Sequence, residues 1–148
     1  MTGELTKQEI DNVLMSQSLC RIACSDDKKP YLVPVTFAYN GTYLYGQSMN
    51  GTKLNILRKN PNVCVQVDII NSMTNWKSVI VTGQFEELKD KEAETAREHL
   101  YSKIFSLMTG SSVHSFGHEL ESAIDENNRI KSVMYRIKIE KITGRYQK

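Results

Sequence analysis

Six consecutive positions, Ser48-Met-Asn-Gly51-Thr52-Lys53, bring two hydroxyls, a glycine and a cation together just ahead of a stretch with helical spacing. A helix start leaves backbone N–H groups without intrahelical partners and carries partial positive charge, so such a corner suits a phosphate. Gly51 lets a ligand approach the backbone, Ser48 and Thr52 offer hydroxyls, and Lys53 offers a full charge. The same residues also read as an Asn-Gly turn followed by a capped helix with an exposed lysine, and spacing alone leaves both readings open. Trp76, the sole tryptophan, precedes a β-prone run. It suits either a flat wall beside a planar ligand or an aromatic anchor in a subunit interface. Tyr31, Tyr39, Tyr43 and Tyr45 cluster in β-prone runs, where they read as ordinary strand formers at a rim. His114 and His118 lie four apart beside Glu119 and Glu121, but their Ser- and Gly-rich surroundings read as solvated loop, and no metal site is expected. His99 beside Glu98 reads as a surface pair.

Three cysteines, Cys20, Cys24 and Cys64, cannot all pair within one chain, and each lies in an apolar run. Core thiols in a reducing compartment account for them, so a cytoplasmic location is expected. Nineteen Lys plus Arg against seventeen Asp plus Glu leave a net charge of +2. That balance argues against a nucleic-acid or membrane-surface binder. No apolar run approaches the ~18–20 residues that cross a bilayer. The start, Met1-Thr-Gly-Glu-Leu-Thr-Lys-Gln-Glu, lacks the pattern of a secretory signal. With 148 residues, 40% of them hydrophobic, the chain is read as a single domain over 1–148.

The elements that must position these residues follow from periodicity. Thr6 and Glu9 form a capping-box pattern that opens a helix over Lys7 to Met15. Leu19 to Ser25 and Tyr31 to Tyr39 read as strands around a polar turn. Pro34 demands an edge, a bulge or a break in the second. Asn40-Gly41 predicts a hairpin with positive φ at both turn positions, leading into Thr42 to Tyr45. A helix over Thr52 to Lys59 stops at Asn60-Pro61. Val63 to Ile70 and Trp76 to Leu88 read as strands, the latter with a bulge at Gly83. Asp90 to Met108 is a helix with Ala93, Ala96, Leu100, Ile104 and Leu107 in one stripe. Thr109 to Lys131 carries little signal beyond a helical turn or two near Glu119 to Ile124 and reads as a loop or a lid; Ser132 to Ile142 is a last strand. Six strands joined mostly by hairpins, with helices inserted, predict a mainly β fold: a six-stranded antiparallel split β-barrel with peripheral helices. No G-x-G-x-x-G or Walker pattern is present.

Beyond these patterns, the run from Pro30 to Leu88 resembles the flavin-binding split-barrel superfamily related to pyridoxamine 5′-phosphate oxidase, most of all its short nitroimidazole-resistance-type members. The resemblance rests on P-Y-L-V-P-V-T-F-A-Y (Pro30–Tyr39), L-Y-G-Q-S-M-N-G-T-K (Leu44–Lys53), L-R-K-N-P-N-V (Leu57–Val63) and W-K-S-V-I-V-T-G (Trp76–Gly83). It implies FMN held at a homodimer interface. In that comparison Lys53 falls on the phosphate-binding lysine, and Thr52 stands where longer oxidases carry a second basic ligand. Val33, Pro34, Val35 and Thr36 run alongside the isoalloxazine ring, Ser78 is a polar flavin contact, and Gln47 and Ser48 lie near the cofactor. Gly51 and Trp76 complete the expected set.

What the resemblance implies about activity is an FMN-dependent oxidoreductase or reductase acting on a small organic molecule, with a nicotinamide electron donor and no acid–base triad of its own. The alternative it leaves is a non-catalytic sensor or carrier for flavin, haem or a deazaflavin. Many nitroimidazole-resistance relatives carry histidine at the position of Gln47. The last strand, Tyr135-Arg-Ile-Lys-Ile-Glu-Lys, lacks the histidine with which true oxidases grip their substrate, which argues against vitamin B6 oxidation.

Overall fold

The computed structural model describes residues 1–107 and 132–148. In chain order it runs β1 (Thr2–Glu4), α1 (Lys7–Ser16), β2 (Leu19–Asp26), β3 (Lys29–Thr36), β4 (Ala38–Tyr39), β5 (Tyr43–Ser48), α2 (Thr52–Lys59), β6 (Asn62–Ser72), β7 (Asn75–Glu87), α3 (Asp90–Leu107) and β8 (Val133–Gln147). The expectations placed on Thr109 to Lys131, including His114 and His118, lie outside the described residues.

Every strand pairing is antiparallel, in the order β3-β2-β6-β7-β8-β5-β4, with β1 added on β8. β3 and β4 stand at opposite ends of that path, yet only Phe37 separates them in sequence. The two ends of the sheet must therefore meet, and the sheet curls into a split barrel. Phe37 sits at the crossing, 2% exposed, and its backbone N–H donates to the Ser18 carbonyl at 2.9 Å. The six expected strands are all present. Two short ones add to them, making eight among the described residues. Tyr31–Tyr39 divides at Phe37, because that residue must turn inward to close the barrel. β1, which has no apolar alternation to betray it, forms by pairing with the far end of β8. β8 itself extends past Ile142 to Gln147, since its polar end finds partners in both β7 and β1.

Local chemistry explains the turns. The Thr6 hydroxyl accepts from the Glu9 N–H at 3.2 Å and the Glu9 carboxylate accepts from the Thr6 N–H at 3.0 Å, closing the capping box. Pro34 stays in register opposite Arg21, and β3 is an edge strand that pairs with β2 alone among the described residues, so its missing donor costs no ladder bond. At Asn40-Gly41 only Gly41 takes positive φ, +96°. Asn40 instead uses its side-chain oxygen to accept from the Thr42 and Tyr43 N–H groups at 2.9 and 2.8 Å, which replaces the expected two-residue turn. The register between β7 and β8 shifts at Thr82/Gly83, where Glu140 is the additional residue. The expected irregularity is there, but the extra residue lies on the partner strand, and Gly83 is required because a side chain would run into the Lys138 carbonyl.

The barrel interior is filled by Ile22, Leu44, Val65, Val67, Val79, Val81, Tyr135 and Ile137, with Leu54 and Leu57 of α2 packed among them. The cavity left between Cys20, Val35, Phe37, Leu44 and Tyr135 is about 10 Å³, room for a single water at most. A second cluster seats α3 on the other face of the β5–β8 region through Ala93, Ala96, Leu100, Ile104 and Met134. A ligand must therefore bind on the outside of the barrel.

Candidate functional site

The corner between β5 and α2 is open. Gly51, the residue before the first turn of α2, has extended backbone and no heavy atom within 4 Å of where a Cβ would lie. Among the described residues no side chain caps the helix, which leaves its first-turn N–H groups available to an external acceptor. The first turn holds no acidic residue and carries Lys53, a cation at the positive end of the helix dipole. Lys53 is half-buried, no carboxylate pairs with it among the described residues, and burial pulls its ammonium below the usual lysine range. A desolvated cation placed against a helix dipole, with no carboxylate beside it among the described residues, favours an anionic counter-charge. Thr52 is exposed beside it. Ser48 is not equivalent. It is 6% exposed and its hydroxyl donates to the Met49 carbonyl at 2.9 Å, leaving the backbone amides, Thr52 and Lys53 as the donors of the corner.

The alternation of β3 separates its four expected contacts. Val33 and Val35, opposite Ile22 and Cys20, turn inward and pack on the core, whereas Pro34 and Thr36, opposite Arg21 and Leu19, face outward. The backbone alternates too: Phe37 N–H points to β2, so Val33 and Val35 direct their backbone groups to β2 as well, and the edge that faces away carries those of Pro34 and Thr36. Gln47 points toward α3, where its side-chain oxygen accepts from the Tyr101 hydroxyl at 2.8 Å. Trp76 and Ser78 lie on the outer face of β7, in a groove of about 260 Å³ shared with Gln66, Asp68, Ile70 and Lys77. β3 and β7 are three strand steps apart, about 14 Å at the usual spacing. One chain therefore groups Gly51, Thr52 and Lys53 at the start of α2, while Trp76 and Ser78 stand three strands along the sheet from Val33–Thr36.

Some neighbours of the site escape a reading of motifs. Cys20, on β2 opposite Val35, feels the charges of both Lys53 and Lys103, and burial pushes its thiol up to about 12. Lys103 reaches from α3 to donate to the Leu14 carbonyl at 3.1 Å and lies 4.4 Å from the centre of the Phe37 ring. Burial brings its ammonium down to about 8. Its place three residues after Leu100, on the apolar stripe of α3, is the signal that distinguishes it from the solvated lysines. Arg21 and Asp68, paired at 3.1 Å across β2 and β6, carry no motif at all. Among the described residues no group of His, Cys, Asp and Glu is placed to hold a metal ion, and no helix is long and apolar enough to cross a membrane.

A curled antiparallel sheet with an exposed edge strand and an uncapped, cationic helix start at its rim defines a split-barrel protein. The chain belongs to the pyridoxamine 5′-phosphate oxidase family, whose model matches residues 6–146. It is similar in structure to an FAD-binding protein of Mesorhizobium loti, with 34% identity, a TM-score of 0.79, and coverage of 100% of this chain and 98% of that one. A candidate 5-nitroimidazole antibiotic resistance protein of Bacteroides thetaiotaomicron shares the fold at 19% identity, with a TM-score of 0.75 over 99% of this chain and 87% of that one. The uncharacterized protein RA0666 of Rhizobium meliloti (strain 1021) is 42% identical over 84 residues, which are 57% of this chain and 56% of that protein. The match thus spans little more than half the length of that relative.

Proposed function

We propose that the protein binds FMN at the interface of a homodimer and serves as an FMN-dependent oxidoreductase for a small organic molecule. The observation that carries this reading is Lys53, half-buried at an uncapped helix start with no carboxylate partner among the described residues. A phosphomonoester supplies the missing counter-charge, and the residues present fit it. The α2 amides and the Thr52 hydroxyl donate to the phosphate oxygens, and Lys53 neutralises them. The outer edge of β3 then lies along the ring, where backbone N–H groups and Thr36 stabilise negative charge on its pyrimidine side. The flavin, when bound, supplies the hydride and electron chemistry; the chain holds and orients it. Relatives described as FAD-binding support a flavin ligand, and a corner with one lysine and Thr52 in place of a second cation favours the single phosphate of FMN.

The three strand steps between β3 and β7, about 14 Å at the usual spacing, support the two-chain reading. In that reading Trp76 and Ser78 reach the ring held along Val33–Thr36 from a second copy. The outer face that would carry them exposes Leu19, Leu32, Pro34 and Ile70, an apolar surface suited to burial between subunits. Two-fold symmetry would then build two equivalent sites. All three cysteines are free thiols, in keeping with a cytoplasmic location.

Titration of the ligand-free protein with FMN, FAD and riboflavin, together with molar mass from light scattering, tests the reading. The expected order is FMN above FAD and riboflavin, with a mass of two chains. A monomer indifferent to FMN would overturn it. Bleaching of the bound flavin by a nicotinamide donor and reoxidation by a small nitroaromatic or quinone would establish turnover. Binding without bleaching would instead establish a flavin carrier.

A further inference from the structure

The groove on the outer face of β6 and β7 holds an arrangement that the phosphate corner does not use. Asp68 and Ser78 are direct cross-strand partners, so their side chains project side by side on one face. Ser78 Oγ accepts from Gln66 Nε2 at 3.1 Å, which leaves its own O–H to donate outward. One oxygen of Asp68, Oδ2, is held by Arg21 at 3.1 Å, which leaves Oδ1 to accept. A fixed acceptor therefore stands next to a fixed donor. Trp76, directly opposite Ile70 on the neighbouring strand, forms a flat apolar wall beside them, and Lys77 completes the rim.

We propose that this groove binds the edge of a planar heterocycle that carries an N–H beside a C=O, with Asp68 accepting from the N–H, Ser78 donating to the carbonyl and Trp76 stacking on the ring. Arg21 already pairs with Asp68, so the groove has little to offer a cation, and the acceptor standing beside the donor matches a neutral donor–acceptor edge. The volume of about 260 Å³ is just under the ~300 Å³ at which small-molecule pockets begin, so it takes one ring system and not a dinucleotide. Gln66 is a positioning residue: it sets which way the Ser78 proton points. Lactam and imide edges of this kind occur on the pyrimidine side of a flavin and on free heterocyclic substrates. The flavin source rests on the function proposed above, with the groove of one copy meeting the ring held by the other. The substrate source does not.

Trp76 is the only tryptophan, so its fluorescence reports on this groove directly. The probes are lumiflavin, which has the ring and no phosphate, and 3-methyllumiflavin, in which the edge N–H is methylated. Lumiflavin should quench Trp76, and 3-methyllumiflavin should bind tenfold or more weakly. Asp68→Ala and Ser78→Ala should each weaken lumiflavin several-fold and narrow the gap between the two probes, with unchanged melting showing that both variants fold. In protein saturated with FMN, a lumiflavin response that is abolished makes the flavin's own edge the occupant, whereas a second equivalent bound makes it a substrate site. Either supports the groove. Equal affinity for the two probes, or lumiflavin affinity unchanged in both variants, overturns it. FMN affinity unchanged in Lys53→Met, with the lumiflavin result intact, would overturn the phosphate corner alone.

Discussion

Replacing Lys53 by methionine keeps the length of the side chain and removes only its charge. The structure then predicts two effects of opposite sign. In the ligand-free protein the ammonium is desolvated, lies at the positive end of α2 and has no carboxylate partner among the described residues. Its removal should leave stability unchanged or raise it by about 0.3–1 kcal/mol, the usual cost of a charge misplaced on a helix dipole. For a chain of this size that is at most about 4 °C in Tm. In the complex the same ammonium makes a charge-assisted bond to phosphate, worth ~1.5–3 kcal/mol. FMN affinity should therefore fall ~10- to ~150-fold at 1.4 kcal/mol per factor of ten. Riboflavin, which lacks the phosphate, should bind both proteins alike. Calorimetric titration with the two ligands and a thermal melt of the apo-protein read all three quantities. The pH dependence adds a further check. Burial holds the Lys53 ammonium below its ordinary range, so FMN affinity in the wild type should decline as pH rises through that lowered value, and this decline should vanish in Lys53→Met. FMN affinity unchanged within threefold, a parallel loss of riboflavin affinity, or an apo-protein that melts several degrees lower would each refute the reasoning. The last would mean that Lys53 is paired in the free protein.

Charge placed on the exposed outer face, as in Leu32→Glu, should leave the barrel folded because Leu32 is 66% exposed, yet shift the molar mass from two chains to one and weaken FMN; light scattering with flavin titration checks both. Gly46→Ala drives a methyl to within 2.6 Å of the buried Tyr135 ring, an overpacking that should cost about 1–3 kcal/mol in a denaturant melt. Lys103 loses its proton near pH 8 in the fold and near 10.5 when unfolded. Between those values the unfolded chain binds more protons, so stability should rise with pH from about 8, and the rise should flatten in Lys103→Met when melts are compared across that window.

Long elements with strong local codes were legible from residue order. The Thr6/Glu9 box, the stop at Asn60-Pro61 and the stripe from Ala93 to Ile104 are decided within a few residues, and the corner at Gly51–Lys53 is contiguous in sequence. β1 was hidden because three polar residues become a strand only when β8 offers them a ladder. The break at Phe37 was hidden because closing the barrel, not the local preference of that residue, demands it. Even Asn40-Gly41, a strong local signal, was overruled in detail: the Asn40 side chain found nearer backbone donors.

Residue order by itself thus determined which segments are strands and helices and that a cationic helix start follows the strand ending at Ser48, since capping, periodicity and proline chemistry act over a turn or two of chain. Only the tertiary structure decided that Ser48 turns its hydroxyl onto Met49, that Gln47 faces Tyr101, and that Asp68 stands beside Ser78 with its second oxygen tied to Arg21. Those outcomes depend on strand register and on how far the sheet curls, and both are set by contacts between residues far apart in the chain.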